Sequence, residues 1–213
     1  MREDVDLLFG PELKYSAVNW FDEDELIEAF KARLIGWYLK PASDLVKFRM
    51  AFPAGVLEVC LIDALVRVDN LMITSVDKDN SGCDYTNWLR NNIVSLKPPA
   101  DQNIALRFYE DIRCGLVHEG RAKRGAEFDF RLNTAVEYDN EYDMVSVNPK
   151  LLYDELENIL NCYAPGAKGD VSCHFITALN YLFLKELYIS GTPHPDIGGV
   201  IVQQSRRGKR RGH

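Results

Sequence analysis

The chain of 213 residues contains no uninterrupted apolar run of 18 residues, so no segment reads as a membrane-spanning helix. Its most hydrophobic span, "AGVLEVCLIDALVRVDNLMI", is interrupted by Glu58, Asp63, Arg67 and Asp69, the mark of a buried helix. The opening "MREDVDLLFG" has acids where a signal peptide needs basic and then apolar residues. A cytoplasmic protein without a membrane partner is the expectation. Cysteines are few: Cys60, Cys83, Cys114, Cys162 and Cys173 are odd in number and form no CxxC pair. Neither a disulfide framework nor a zinc ribbon is expected. Cys162, Cys173, His174 and His194 have spacings that match no familiar ligand set. The expectation is therefore no metal and no other cofactor, with the thiols reduced.

Positive charge is also scarce. The chain has 25 Lys and Arg against 32 Asp and Glu, a net charge of −7. Five of those cations crowd into "RRGKRRGH" at the C-terminus, so the rest of the chain carries 20 basic against 32 acidic residues. Such a body is no general coat for nucleic acid, because phosphate binding requires clustered positive charge. Any contact with RNA is local: the tail, or the run Arg121, Lys123 and Arg124. The tail can equally be a solubilising end.

What is present is helical periodicity over most of the length. Residues 1–20, with Gly10-Pro11 in their middle, read as an irregular lead-in. "FDEDELIEAFKARLIGWYL" opens with acids that favour a helix N-terminus and closes before Pro41. "FPAGVLEVCLIDALVRVDNLMI" is a long central helix, and "DKDNSGCDY" a polar loop before a shorter helix, "YTNWLRNNIVSL". "DQNIALRFYEDIRCGLVHEG" is a helix closing near Gly120, which suits a left-handed residue after the last turn. Between about residues 126 and 147 the period changes to two, which predicts a small antiparallel β hairpin or meander. Helical periodicity then returns. The sequence predicts a mainly α domain over residues 21–190, followed by a flexible basic tail over 191–213.

Arg113 and His118 carry the most chemistry. On an ideal helix five positions turn about 500°, which sets them about 140° apart, with Arg107, Asp111, Cys114 and His118 nearer a single stripe. A histidine in a last helical turn followed by glycine also fits an ordinary helix end, where it complements the dipole. Asp63, inside an apolar helix, needs a partner. Arg113, Arg67 and water are the three candidates.

The stretch "RFYEDIRCGLVHEGR" resembles the signature helix of the HEPN superfamily (higher eukaryotes and prokaryotes nucleotide-binding domains). That family carries an Arg, four to six residues, then a His near the end of a late helix. Many members place a polar residue, often Asn, directly after the Arg, where this chain has Cys114. "RCGLVH" and the preceding Phe108-Tyr109 resemble a recurring bacterial subgroup. "GVLEVCLIDALVRV" resembles the family's hydrophobic helix with an embedded acid, Asp63 matching best and Glu58 second.

The resemblance implies a helical bundle that forms a homodimer about a twofold axis, bringing both copies of Arg113 and His118 into one cleft. It implies metal-independent RNA cleavage leaving a 2′,3′-cyclic phosphate, in a toxin–antitoxin or phage-defence setting with an antitoxin or regulatory partner. His118 would move the proton and Arg113 would hold the phosphate. Asp63, Tyr109 and Cys114 would support them, and Arg121, Lys123 and Arg124 would steer RNA. Three alternatives stand beside these roles: Tyr109 as core, Cys114 as a packed or redox-sensitive thiol, and the basic run as a solvated loop. Two rival functions remain, a catalytically inactive HEPN dimer serving as a nucleotide-binding or interaction module, and an unrelated helical bundle.

Overall fold

The computed structural model describes residues 7–77, 81–98, 100–165, 174–184 and 201–202. Asp22 caps helix α1 (Glu23–Leu34), its carboxylate accepting from the Glu25 amide at 3.0 Å. Glu23, Asp24 and Glu25 fill the first turn, where they complement the dipole. This helix does not close before Pro41, as its sequence suggests. It continues through a wide π turn (Ile35–Leu39) into α2 (Lys40–Lys47). Lys40 donates to the Ile35 carbonyl, five residues back. The π turn thus ends two residues before the proline, and Pro41 stands in the first turn of α2, where its missing N–H is least costly.

Arg49 ends α2 with a left-handed φ of 58°. Its amide bonds the Val46 carbonyl and the Met50 amide bonds the Leu45 carbonyl, both at 2.9 Å, the paired bonds of a Schellman helix end. The chain then enters α3 (Ala51–Thr74), the spine of the molecule. As its composition predicts, α3 is buried around most of its girth, including Leu61, Ile62 and Leu65. It packs against α2, α4 (Gly82–Asn92), α7 (Pro149–Asn161) and α8 (Phe175–Leu179). Helix α4 begins three residues earlier than the polar loop suggested. Ser81 and Asp84 exchange side-chain-to-amide bonds in a capping box.

The lead-in is more ordered than its composition indicates. Strands β1 (Leu8–Gly10) and β2 (Leu13–Lys14) pair antiparallel, and Phe9 is fully buried edge-on to Tyr15, Trp20 and Phe183. Strand β3 (Val76–Asp77) pairs parallel with β7 (Ile201–Val202). Apart from those last two residues, the expected basic tail lies outside the described residues, as do Cys173 and His194.

After the motif helix come β4 (Glu127–Phe128), β5 (Val136–Asp139) and β6 (Met144–Val147), in the order β4-β6-β5. Strands β5 and β6 form the antiparallel hairpin that the alternation predicts, but β4 pairs with β6 in parallel. Residues 129–135 loop around the end of β6 to allow this. Asn148 fastens that loop, donating from its side chain to the carbonyls of Phe130 and Leu132. The Phe128 ring lies against Gly55 of α3, where a Cβ would stand 2.1 Å from it. The result is a mainly helical fold with a small sheet docked beside the central helix. Among the described residues no helix is long and apolar enough to cross a membrane.

Candidate functional site

The motif helix has three parts: α5 (Gln102–Arg107), a π turn (Phe108–Arg113) and α6 (Cys114–Glu119). Ala105, Phe108 and Ile112 are fully buried. Burying a side chain such as Phe108 stabilises the fold by roughly 1.5–3 kcal/mol, so this face sets how the helix rolls against α3 and α4. The π turn closes with the Cys114 amide donating to the Tyr109 carbonyl, five residues back. This extra residue breaks the stripe that straight helical geometry drew through Arg107, Asp111, Cys114 and His118. From Cys114 onward the winding is α, so Arg113 and His118 keep an angular separation of about 140°.

Arg113 meets Asp63. Its Nε donates to both carboxylate oxygens, at 3.2 and 3.1 Å, with the two side chains 18% and 24% exposed. The guanidinium carbon also stands 5.7 Å from the centre of the Tyr109 ring, a cation–π distance. Tyr109 packs in turn on Tyr85 of α4, ring centres 5.4 Å apart, and on Gly82, where a Cβ would stand 2.9 Å away. Cys114, next in the chain after Arg113, acts electrostatically on both Tyr109 and Arg113. Arg113, Asp63, Tyr109 and Cys114 therefore form one cluster.

The charges in that cluster are unequal in cost. Partial burial works against the Arg113 charge, but the charge of Asp63 and its hydrogen bond, with a smaller contribution from Cys114, outweigh it and raise the Arg113 pKa above its ordinary value. Burial pushes the Tyr109 hydroxyl up, and the neighbouring Cys114 adds to the effect. The Cys60 thiol is raised by burial and by neighbouring Asp63, with Arg113 opposing. Tyr85, fully buried and with no hydrogen-bond partner for its hydroxyl among the described residues, is raised well above the ordinary phenol value, first by burial and then by Asp63. These groups stay neutral around the Arg113–Asp63 ion pair.

His118 lies elsewhere on the helix. It is exposed in the last turn of α6, beside Val117, which is 52% exposed. The helix ends at Gly120, whose φ of 68° is left-handed, as the sequence predicted. The Cys-Gly pair has its own reason. A Cβ on Gly115 would stand 2.4 Å from the Arg121 carbonyl, because the chain doubles back over this residue. The return brings the Lys123 amide to the Asp111 carbonyl at 2.8 Å.

That return also fixes the basic run. Arg124 has a φ of 47° and donates from Nε to Asp111 at 2.5 Å and from its terminal nitrogen to Glu110. Asp111 is fully buried and accepts from Arg107 as well, at 2.6 Å. Arg107 continues to Asp143 on the β5–β6 turn, which also accepts from Tyr138. Arg121 and Lys123 both pair with Glu119, at 2.7 and 3.0 Å. Each of the three expected RNA-steering cations thus has a carboxylate partner. The Arg107–Asp111–Arg124 network was not recognised from sequence. The four-residue spacing of Arg107 and Asp111 was its one visible signal, and the arrival of Arg124 from the return loop had none.

Glu58, second choice for the embedded acid, is 1% exposed, and neither of its oxygens is hydrogen-bonded among the described residues. Burial, and then the charge of Asp154 on α7, raises its pKa well above the ordinary value. Among the described residues no three or more His, Cys, Asp or Glu side chains group as metal ligands. Comparison of the chain with protein-family models, curated proteins and solved structures returns no match in any of the three.

Proposed function

We propose that the protein is a HEPN-type, metal-independent endoribonuclease that works as a homodimer, in a toxin–antitoxin or phage-defence setting with an antitoxin or regulatory protein as partner. The observation that carries this reading is the contrast within one helix. Arg113 is held by Asp63 and packed on Tyr109, while His118, five residues on, is exposed at the helix end. A fixed cation and an accessible imidazole are the two groups that cleavage by an internal nucleophile needs. His118 would take the proton of the ribose 2′-OH as that oxygen attacks the adjacent phosphorus. The bond from phosphorus to the 5′-oxygen breaks, that oxygen receives a proton, and a 2′,3′-cyclic phosphate remains. A positioned acid or base of this kind contributes about 10²–10⁴-fold. Arg113 uses Nε for Asp63, which leaves its terminal nitrogens to face phosphate oxygens as charge builds. The angular separation of the two residues is why a twofold partner is required: a second motif helix supplies the group that one chain turns away.

One observation favours the second reading, a catalytically inactive HEPN dimer serving as a nucleotide-binding or protein-interaction module. The cations nearest the motif are neutralised by Glu119, Glu110 and Asp111, which weakens the local field that would draw RNA in. The decisive experiment is RNA cleavage in EDTA by wild type and His118→Ala, with the oligomeric state measured by light scattering. Cleavage leaving cyclic phosphate ends, lost in a variant that remains dimeric, is the expected result. An inert wild-type dimer would replace the nuclease with the interaction module, and a monomer would remove both.

A further inference from the structure

A separate cavity of about 440 Å³ opens where the end of α2, the β4–β5 loop and the start of α7 meet. Arg49, Lys150, Asn133, Phe130, Leu132 and Leu151 are among its lining residues. From these we infer a binding site for a small phosphate monoester with an apolar or aromatic body. It is independent of the motif helix and of the ribonuclease reading.

Arg49 is the central group. It occupies the left-handed position of a Schellman helix end, where glycine is the residue without a steric penalty. Arg124, the other arginine in that conformation, has two carboxylate partners. Arg49 has none within ion-pair distance among the described residues, and its guanidinium lies 4.9 Å from the centre of the Phe130 ring. Arg49 lines the cavity, and the five N–H donors of a guanidinium suit an oxyanion with several acceptors. Lys150 adds a second cation at the wall, shared with Asp154 one turn along.

One cation without an ion-pair partner among the described residues, Arg49, and a second shared with Asp154 favour a doubly charged phosphate over a singly charged carboxylate. The apolar wall of Leu132, Leu151 and Phe130 calls for a ligand with a body, and the volume lies within the range of small-molecule sites. Asn148 is not available as a ligand group. Its side chain accepts from Lys150 and Leu151 and donates to Phe130 and Leu132, so it builds the wall. The amide side chain of Asn133 is the neutral group left to orient a bound molecule.

The test is calorimetric titration of the full chain with phenyl phosphate, inorganic phosphate and benzoate, on wild type, Arg49→Gly and Lys150→Gln. Glycine is the residue that the α2 end accommodates best, so Arg49→Gly removes the guanidinium while keeping the fold, checked by its melting curve. Phenyl phosphate is expected to bind wild type more tightly than either other probe, and Arg49→Gly to weaken it by roughly tenfold or more, the loss of one charge-assisted hydrogen bond. Lys150→Gln should weaken it less. No binding to wild type, or equal binding to Arg49→Gly, overturns the site. Benzoate matching phenyl phosphate overturns the phosphate assignment, and inorganic phosphate matching it overturns the apolar part.

Discussion

Arg113 on the motif helix gives its Nε hydrogen to both carboxylate oxygens of Asp63, a residue fifty positions earlier on the central helix. The contact links the two segments that carry the family resemblance. It leaves the arginine charged, oriented and partly open to solvent. If Arg113 must be oriented to act, Asp63→Asn should lower RNA cleavage by roughly tenfold, since it replaces a charged acceptor with a neutral one. A double-mutant cycle with Arg113→Ala, read by urea unfolding, should return a coupling of about 1–2 kcal/mol. Additive effects would mean that the two side chains are neighbours without consequence.

Asp111 should matter more for stability than Asp63. It is fully buried between Arg107 and Arg124, and removing one member of a buried charge group costs about 3–5 kcal/mol. Arg124 is half exposed and retains water, which places the expected loss for Asp111→Ala near the lower end, about 3 kcal/mol. Chemical unfolding measures it. A loss below 1 kcal/mol would show that the network is ornamental to the fold.

Gly115→Ala sets two magnitudes against each other. Alanine is better than glycine inside a helix by about 1 kcal/mol. Its methyl group would meet the Arg121 carbonyl, with a Cβ only 2.4 Å away, and overpacking of this kind costs about 1–3 kcal/mol. A backbone oxygen cannot swing aside, so net destabilisation is expected, together with faster proteolysis in the 120–125 loop. A more stable variant would mean that the loop moves freely over the helix.

Glu58 should impose a pH dependence of known sign. Its folded pKa lies well above the ordinary glutamate value of 4.5, through burial first and the charge of Asp154 second. Below 4.5 both states hold the proton and the contribution is complete. As the pH rises past that value, the unfolded chain releases a proton that the folded chain retains. Stability falls until the folded pKa is passed. Urea midpoints measured from acid to neutral pH should decline in wild type, and Glu58→Gln should flatten the decline. An unchanged slope would assign the dependence to another group.

Helices α1 and α3 are legible because burial imposes a period that sequence displays. Acids before α1, the apolar girth of α3 and the glycine at 120 each have a local physical cause, and each appears where the pattern places it. Where reading failed, an interaction one step away had won. The π turn carried α1 past Pro41. The Ser81–Asp84 exchange brought the start of α4 forward. The β4 strand took a parallel place because Asn148 ties the intervening loop around β6. Phe9, in a segment that reads as irregular, is buried by rings from Trp20 and Phe183 that no local pattern announces.

The same division runs through the site. Sequence by itself determined that Arg113, Cys114, Gly115 and His118 share a helix ending at Gly120, because helix winding and glycine geometry depend only on near neighbours. It also determined that Asp63 needed a partner, since an acid in an apolar helix cannot stay unpaired cheaply. That Arg113 reaches it, that neither Glu58 oxygen is hydrogen-bonded among the described residues, and that Arg124 turns inward to Asp111 follow from the tertiary packing. Those outcomes depend on which helices pack together and where a return loop lands, and electrostatic pairing acts through space rather than along the chain.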